Sequence, residues 1–95
     1  MKNMELTRPA NAWVKRRSGP DEIVRVVPVI GKALIYKLYV AYGTLGQDLP
    51  DGQNTDYLGR ILFDAEGYWI YDGEILTITE QEQLARFIIN YVETL

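Results

Sequence analysis

The chain has 95 residues, 47% of them hydrophobic and 24% charged, with a net charge of −3, which describes one small domain with a real core. It contains no cysteine and no histidine, and Ser18 is its single serine. Disulfides, thiolate nucleophiles and zinc–sulfur or iron–sulfur centres are therefore excluded, and the usual base near neutral pH is missing along with the commonest metal ligand.

Residues 1–11 are polar and end near Pro9, which predicts a flexible N-terminal arm ahead of a single α+β domain over 12–95. A short strand is expected over 13–17. The turn composition Ser18-Gly19-Pro20-Asp21 then leads into a β-branched stretch over 22–30, so the two segments read as a hairpin. Pro28 lacks a ladder N–H and marks an edge or a bulge. Gly31 separates this from 32–42, the longest strand candidate.

Residues 43–56 form a loop with three glycines, Pro50 and Asn54, longer than a usual hairpin connection. A strand over 57–63, a turn over 64–67 and a strand over 68–71 follow. Asp72-Gly73 has the composition of a type I′ turn and predicts a further strand over 74–77. The last element is a helix: Leu84, Phe87, Ile88, Tyr91, Val92 and Leu95 follow its spacing as one stripe. Thr79 and Glu82 are in position for its capping box, and Glu80 and Glu82 suit the positive end of its dipole.

The fold class that emerges is α+β: a twisted antiparallel meander of five to six strands, or a half-open SH3-like barrel, with one C-terminal amphipathic helix. A helix of about 24 Å covers one face of a sheet of about five strands and leaves the other. A wet face should alternate with an apolar one, yet 32–42 does not alternate cleanly. Leu34, Tyr36, Leu38, Val40 and Tyr42 lie on one side, and Ala33, Ile35, Lys37, Tyr39 and Ala41 on the other. Either the sheet closes on itself or a partner covers the second face.

Charge is sorted by position. The first forty residues hold eight Lys and Arg against three Asp and Glu, net +5, and the remainder two against ten, net −8. The run Lys15-Arg16-Arg17, preceded by Trp13, is a candidate phosphate-contacting patch, with Tyr36, Tyr39 and Trp69 as stacking platforms. The alternative is pairing of basic strands with acidic ones, which the overall acidity favours. The Asp48–Asp56 loop has the wrong spacing and no terminal glutamate for a calcium loop. Asp64, Glu66, Asp72 and Glu74 fall at turns, where backbone geometry already asks for them. The aromatic strand between them reads as a recognition edge.

The function expected is that of a small non-enzymatic protein-interaction or regulatory protein working through its sheet surface. Its partner is another protein or a second copy, it needs no cofactor or metal, and it does not enter the membrane. The candidate binding residues are Lys15, Arg16, Arg17, Ile35, Lys37, Tyr39, Trp69 and Tyr71. A nucleic-acid module using the basic strands is the alternative, and a carboxylate- and tyrosine-based enzyme the third reading. With no cysteine and no targeting segment the expected location is the cytoplasm.

Overall fold

The computed structural model of the protein describes residues 6–17, 19–29, 34–42 and 53–91. Five strands, β1 (Ala10–Val14), β2 (Glu22–Pro28), β3 (Ile35–Val40), β4 (Tyr57–Phe63) and β5 (Trp69–Asp72), are followed by one helix, α1 (Ile78–Asn90). The strands form a single antiparallel sheet in sequence order, β1-β2-β3-β4-β5. It is an open meander with β1 and β5 as its edges, not a closed barrel. Ser18, residues 30–33, most of the long loop (43–52), Val92 and Leu95 lie outside the described residues.

Alternation along the strands assigns the faces. Ala12, Val14, Val24, Val26, Leu38 and Ile61 are almost fully buried and point to the helix side. There they meet Leu84, Ala85 and Ile88 of α1, together with Leu6, Phe63 and Leu76. Tyr36 is buried among them, edge-on to Phe63 with ring centroids 5.8 Å apart, and burial pushes its hydroxyl pKa up. Phe87 and Tyr91 are only half-buried, their rings in tilted contact with one another.

Four boundaries differ from those the sequence suggests. β1 starts at Ala10, inside the stretch expected to be an arm, and ends at Val14, so Lys15, Arg16 and Arg17 follow the strand instead of forming it. Leu6 is buried in the core as well. Pro28 is the last residue of an interior strand, but it lies beyond the end of β1, whose Ala10 pairs with Val26, so its missing N–H leaves no gap in that ladder.

The third difference is the absence of a strand over 74–77. Asp72-Gly73 does not turn the chain back. The N–H groups of Ile75 and Leu76 donate instead to the Tyr71 hydroxyl at 3.3 Å each, and Gln81 Nε2 donates to the Leu76 carbonyl. The fourth is the helix start. Thr77, not Thr79, is the N-cap: its hydroxyl accepts from Glu80 N while Glu80 Oε1 accepts from Thr77 N, a complete capping box. Among the described residues no helix is long and apolar enough to cross a membrane.

Candidate functional site

The strand registers place two groups of candidate residues in different parts of the molecule. Lys15, Arg16 and Arg17 run along the N-terminus of α1. The backbone of Lys15 is held at both ends by the Gln83 amide, N to Oε1 at 2.8 Å and O to Nε2 at 2.9 Å, so this side chain completes the pairing of a strand that has already ended. Arg16 Nε donates to Glu80 Oε2 at 2.9 Å and its guanidinium lies 3.6 Å from Glu22. The N–H of Arg17 reaches the same Glu80 oxygen.

Glu80 is only 3% exposed. Burial would raise its pKa, but the backbone donors of Thr77 and Arg17 and the Arg16 charge outweigh it, leaving the carboxyl below its ordinary value. A cavity of about 680 Å³ opens beside this cluster, lined by the basic run together with Ile78, Thr79 and Gln83. The Arg16 charge facing it is already engaged with Glu80. The indole of Trp13, the stacking partner expected for the run, donates to Asp21 at 2.9 Å.

Ile35, Lys37 and Tyr39 point the other way, to the face of the sheet opposite α1. The cross-strand partners give that face a row structure. Asn11, Arg25, Tyr39 and Tyr57 form one row across β1 to β4. Val27, Lys37, Arg60 and Asp72 form the next, across β2 to β5. Val29, Ile35, Leu62 and Ile70 make an apolar row beyond it, and Trp13, Ile23 and Ala41 another on the far side. The face is thus banded apolar, aromatic, charged, apolar.

Two of these bands rest on particular geometry. Tyr39 and Tyr57 pack with their rings tilted at 53° and their centroids 5.3 Å apart. They share a face because β4 carries a bulge: Leu38 pairs with Gly59 and Tyr39 with Tyr57, leaving Leu58 extra. Simple alternation would have put Tyr57 with Ile61 and Phe63 in the core. In the charged row Lys37 and Arg60 are direct cross-strand neighbours, which repel. Asp72 on the other side of Arg60 offsets this, accepting from its Nε at 2.8 Å. Arg25 Nε, in the aromatic row, is buried without a hydrogen-bond partner.

Trp69 and Tyr71 are not on this face. Both pack against the core cluster on the helix side, so β5 presents Ile70 and Asp72 in their place. Tyr71 has a structural position: its hydroxyl donates to the Leu58 carbonyl of the bulge and accepts from Ile75 and Leu76. Gly59 is left-handed at φ +111°, and a Cβ there would come within 2.7 Å of the Tyr71 ring. The residues that sequence reasoning missed are Tyr57, Arg60, Leu62 and Ile70. Arg60, Leu62 and Ile70 were legible from alternation along strands already expected, whereas Tyr57 was hidden by the bulge.

Among the described residues no element packs against this second face, and its margins carry exposed apolar side chains, Trp13 at 71% and Ile70 at 65%. The acidic turns are occupied locally. Asp64 accepts from the N–H groups of Glu66 and Tyr68, Asp72 is held by Arg60, and Asn54 closes its own turn onto Asp56 N. Among the described residues no three His, Cys, Asp or Glu side chains converge on a common centre. The chain matches no protein-family model, no curated protein and no solved structure.

Proposed function

We propose that this is a non-enzymatic interaction protein that binds another protein through the sheet face opposite the helix. The observation that carries the reading is the face itself: four bands of side chains on a five-stranded sheet, with apolar, aromatic and charged groups in register and nothing among the described residues laid over them. Exposed apolar side chains such as Trp13 and Ile70 beside polar groups support an interaction site, and aromatic residues with arginine are the side chains that dominate protein interfaces. The cysteine-free composition fits a reducing compartment, and cytoplasmic action is part of the proposal.

The nucleic-acid reading has less behind it, because Arg16 is committed to Glu80 and the Trp13 indole to Asp21. The experiment is capture on immobilised protein, comparing wild type with a Tyr39→Ala/Ile70→Lys variant of matching circular dichroism. A protein partner retained by wild type and lost by the variant is expected, a second copy of the chain included. Equal retention by both overturns the proposal.

A further inference from the structure

Among the described residues nothing pairs with the outer edge of β5, and we infer that this edge takes an extended, basic segment of another protein as an added strand. The edge is a surface separate from the banded face and borders it at Ile70.

The register fixes which groups the edge offers. Asp64 N donates to the Tyr68 carbonyl, and Phe63 N donates the other way, to the Leu34 carbonyl just before β3. Leu62 with Ile70 and Arg60 with Asp72 are therefore the hydrogen-bonded pairs between β4 and β5. The N–H and C=O groups of Trp69 and Tyr71 then point away from the sheet, enough for four backbone bonds to an antiparallel strand. Edges of this kind are usually blunted by lysine, proline or a bulge. β5 has none of these and is protected only by its length of four residues. The opposite edge differs. Ile23 O accepts from Ala41 N, so on β1 the outward series is Asn11, Trp13 and then Lys15, whose backbone Gln83 has already taken. Lys15 and Arg17 beside it repel a basic chain.

The side chains flanking β5 define the occupant. In strand addition the backbone supplies affinity and recesses for alternate side chains supply specificity. A residue laid opposite Trp69 puts its side chain on the helix side. A recess of about 140 Å³ opens there, lined by Trp69, Ala85 and Ile89 with Glu82 and Arg86. A lysine or arginine stem covers the Trp69 ring while its charged head turns to Glu82. A residue opposite Ile70 falls on the other face and lengthens the apolar row of Val29, Ile35, Leu62 and Ile70. Charge selects a basic partner: Asp64 and Glu66 precede β5, Glu74 follows it and Glu82 flanks the recess, all exposed, against the single cation Arg86 in that recess. Asp72 is matched by Arg60. The segment that fits alternates cationic and apolar residues.

The probe is acetyl-Lys-Val-Lys-Val-Lys-amide, titrated into isotope-labelled protein and followed by amide shifts and hydrogen exchange. Saturable shifts and slowed exchange at the Trp69 and Tyr71 amides are expected. Glu82→Lys should weaken the affinity about fivefold, and acetyl-Glu-Val-Glu-Val-Glu-amide should not bind. The same basic peptide with its three lysines N-methylated on the backbone keeps its charge but loses the pairing donors, and should not bind either.

Equal binding of the N-methylated peptide reduces the contact to charge attraction and overturns strand addition. Affinity unchanged by Glu82→Lys overturns the basic assignment. Shifts confined to Asn11 and Trp13 place the contact on β1 and overturn the choice of edge. Slow exchange at Trp69 and Tyr71 in the protein alone shows an edge already filled, by this chain or, where the protection grows with concentration, by a second copy, and overturns the occupant. Silence at both amides under millimolar probe overturns the inference outright.

Discussion

A single phenolic oxygen joins three parts of the chain. The Tyr71 hydroxyl donates to the β4 bulge and accepts from the two amides that precede the helix, which uses its full capacity of one donor and two acceptor sites. Tyr71→Phe should cost about 1–3 kcal/mol, read as a lowered urea midpoint, since it leaves the Leu58 carbonyl without this donor. Gly59→Ala should cost at least as much, about 1–3 kcal/mol for the left-handed backbone alone, with its Cβ also 2.8 Å from the Asp72 carbonyl. Glu80 supplies the pH dependence. Its folded pKa lies below the ordinary 4.5, so its contribution is fully present above that value and is lost as pH falls through the lowered one. Glu80→Gln preserves the capping pattern but removes the charge that Arg16 meets. It should destabilise by about 1–3 kcal/mol at neutral pH, and the gap from wild type should close in acid. A constant gap across an acid titration of the urea midpoint would show that the charge contributes nothing.

At the scale of elements, the helix is clamped at its N-terminus and packed along its middle. Gln83 and Glu80 hold the chain just beyond β1, while Leu84 and Ile88 are fully buried. Leu84→Ala should therefore cost about 2–5 kcal/mol, and Phe87→Ala, at a half-buried site, distinctly less. Equal urea midpoints for these two variants would contradict the packing described. The periodicity of 84–91 made the helix and its buried stripe legible from sequence. Its start was not, because Thr-x-x-Glu occurs twice in succession, at 77–80 and 79–82, and local pattern cannot choose between them. The choice is made by Arg16 and Arg17, more than sixty residues away, which need Glu80 at the cap. The supposed hairpin at Asp72-Gly73 fails for a related reason: the amides that would have paired with β5 are taken by Tyr71. The bulge at Leu58 is likewise written in tertiary contacts, and with it the aromatic band of the candidate site. The charged and apolar bands follow from alternation alone, and Ile35, Lys37 and Tyr39 fall where the sequence put them.

For the whole molecule, the segregated charge of the sequence resolves in part into a pair that joins the basic and acidic parts of the chain, Arg16 with Glu80. If the banded face takes a second copy, stability depends on mass action. The thermal midpoint of wild type should rise with protein concentration, and that of the Tyr39→Ala/Ile70→Lys variant should not. Calorimetry at two well-separated concentrations measures this directly. A wild-type midpoint independent of concentration contradicts a second copy as the occupant.

The attachment of α1 to the turn after β1 sets the order in which this protein can be completed during its own synthesis. Every strand is synthesised before the helix exists, so for that interval the nascent strands lack the cover of Leu84 and Ile88 over Val14, Val24, Val26 and Leu38, and Arg16 waits for a carboxylate not yet polymerised. Such transient apolar surface is where aggregation begins. The helix therefore shuts the core and supplies the partner of Arg16 in one step.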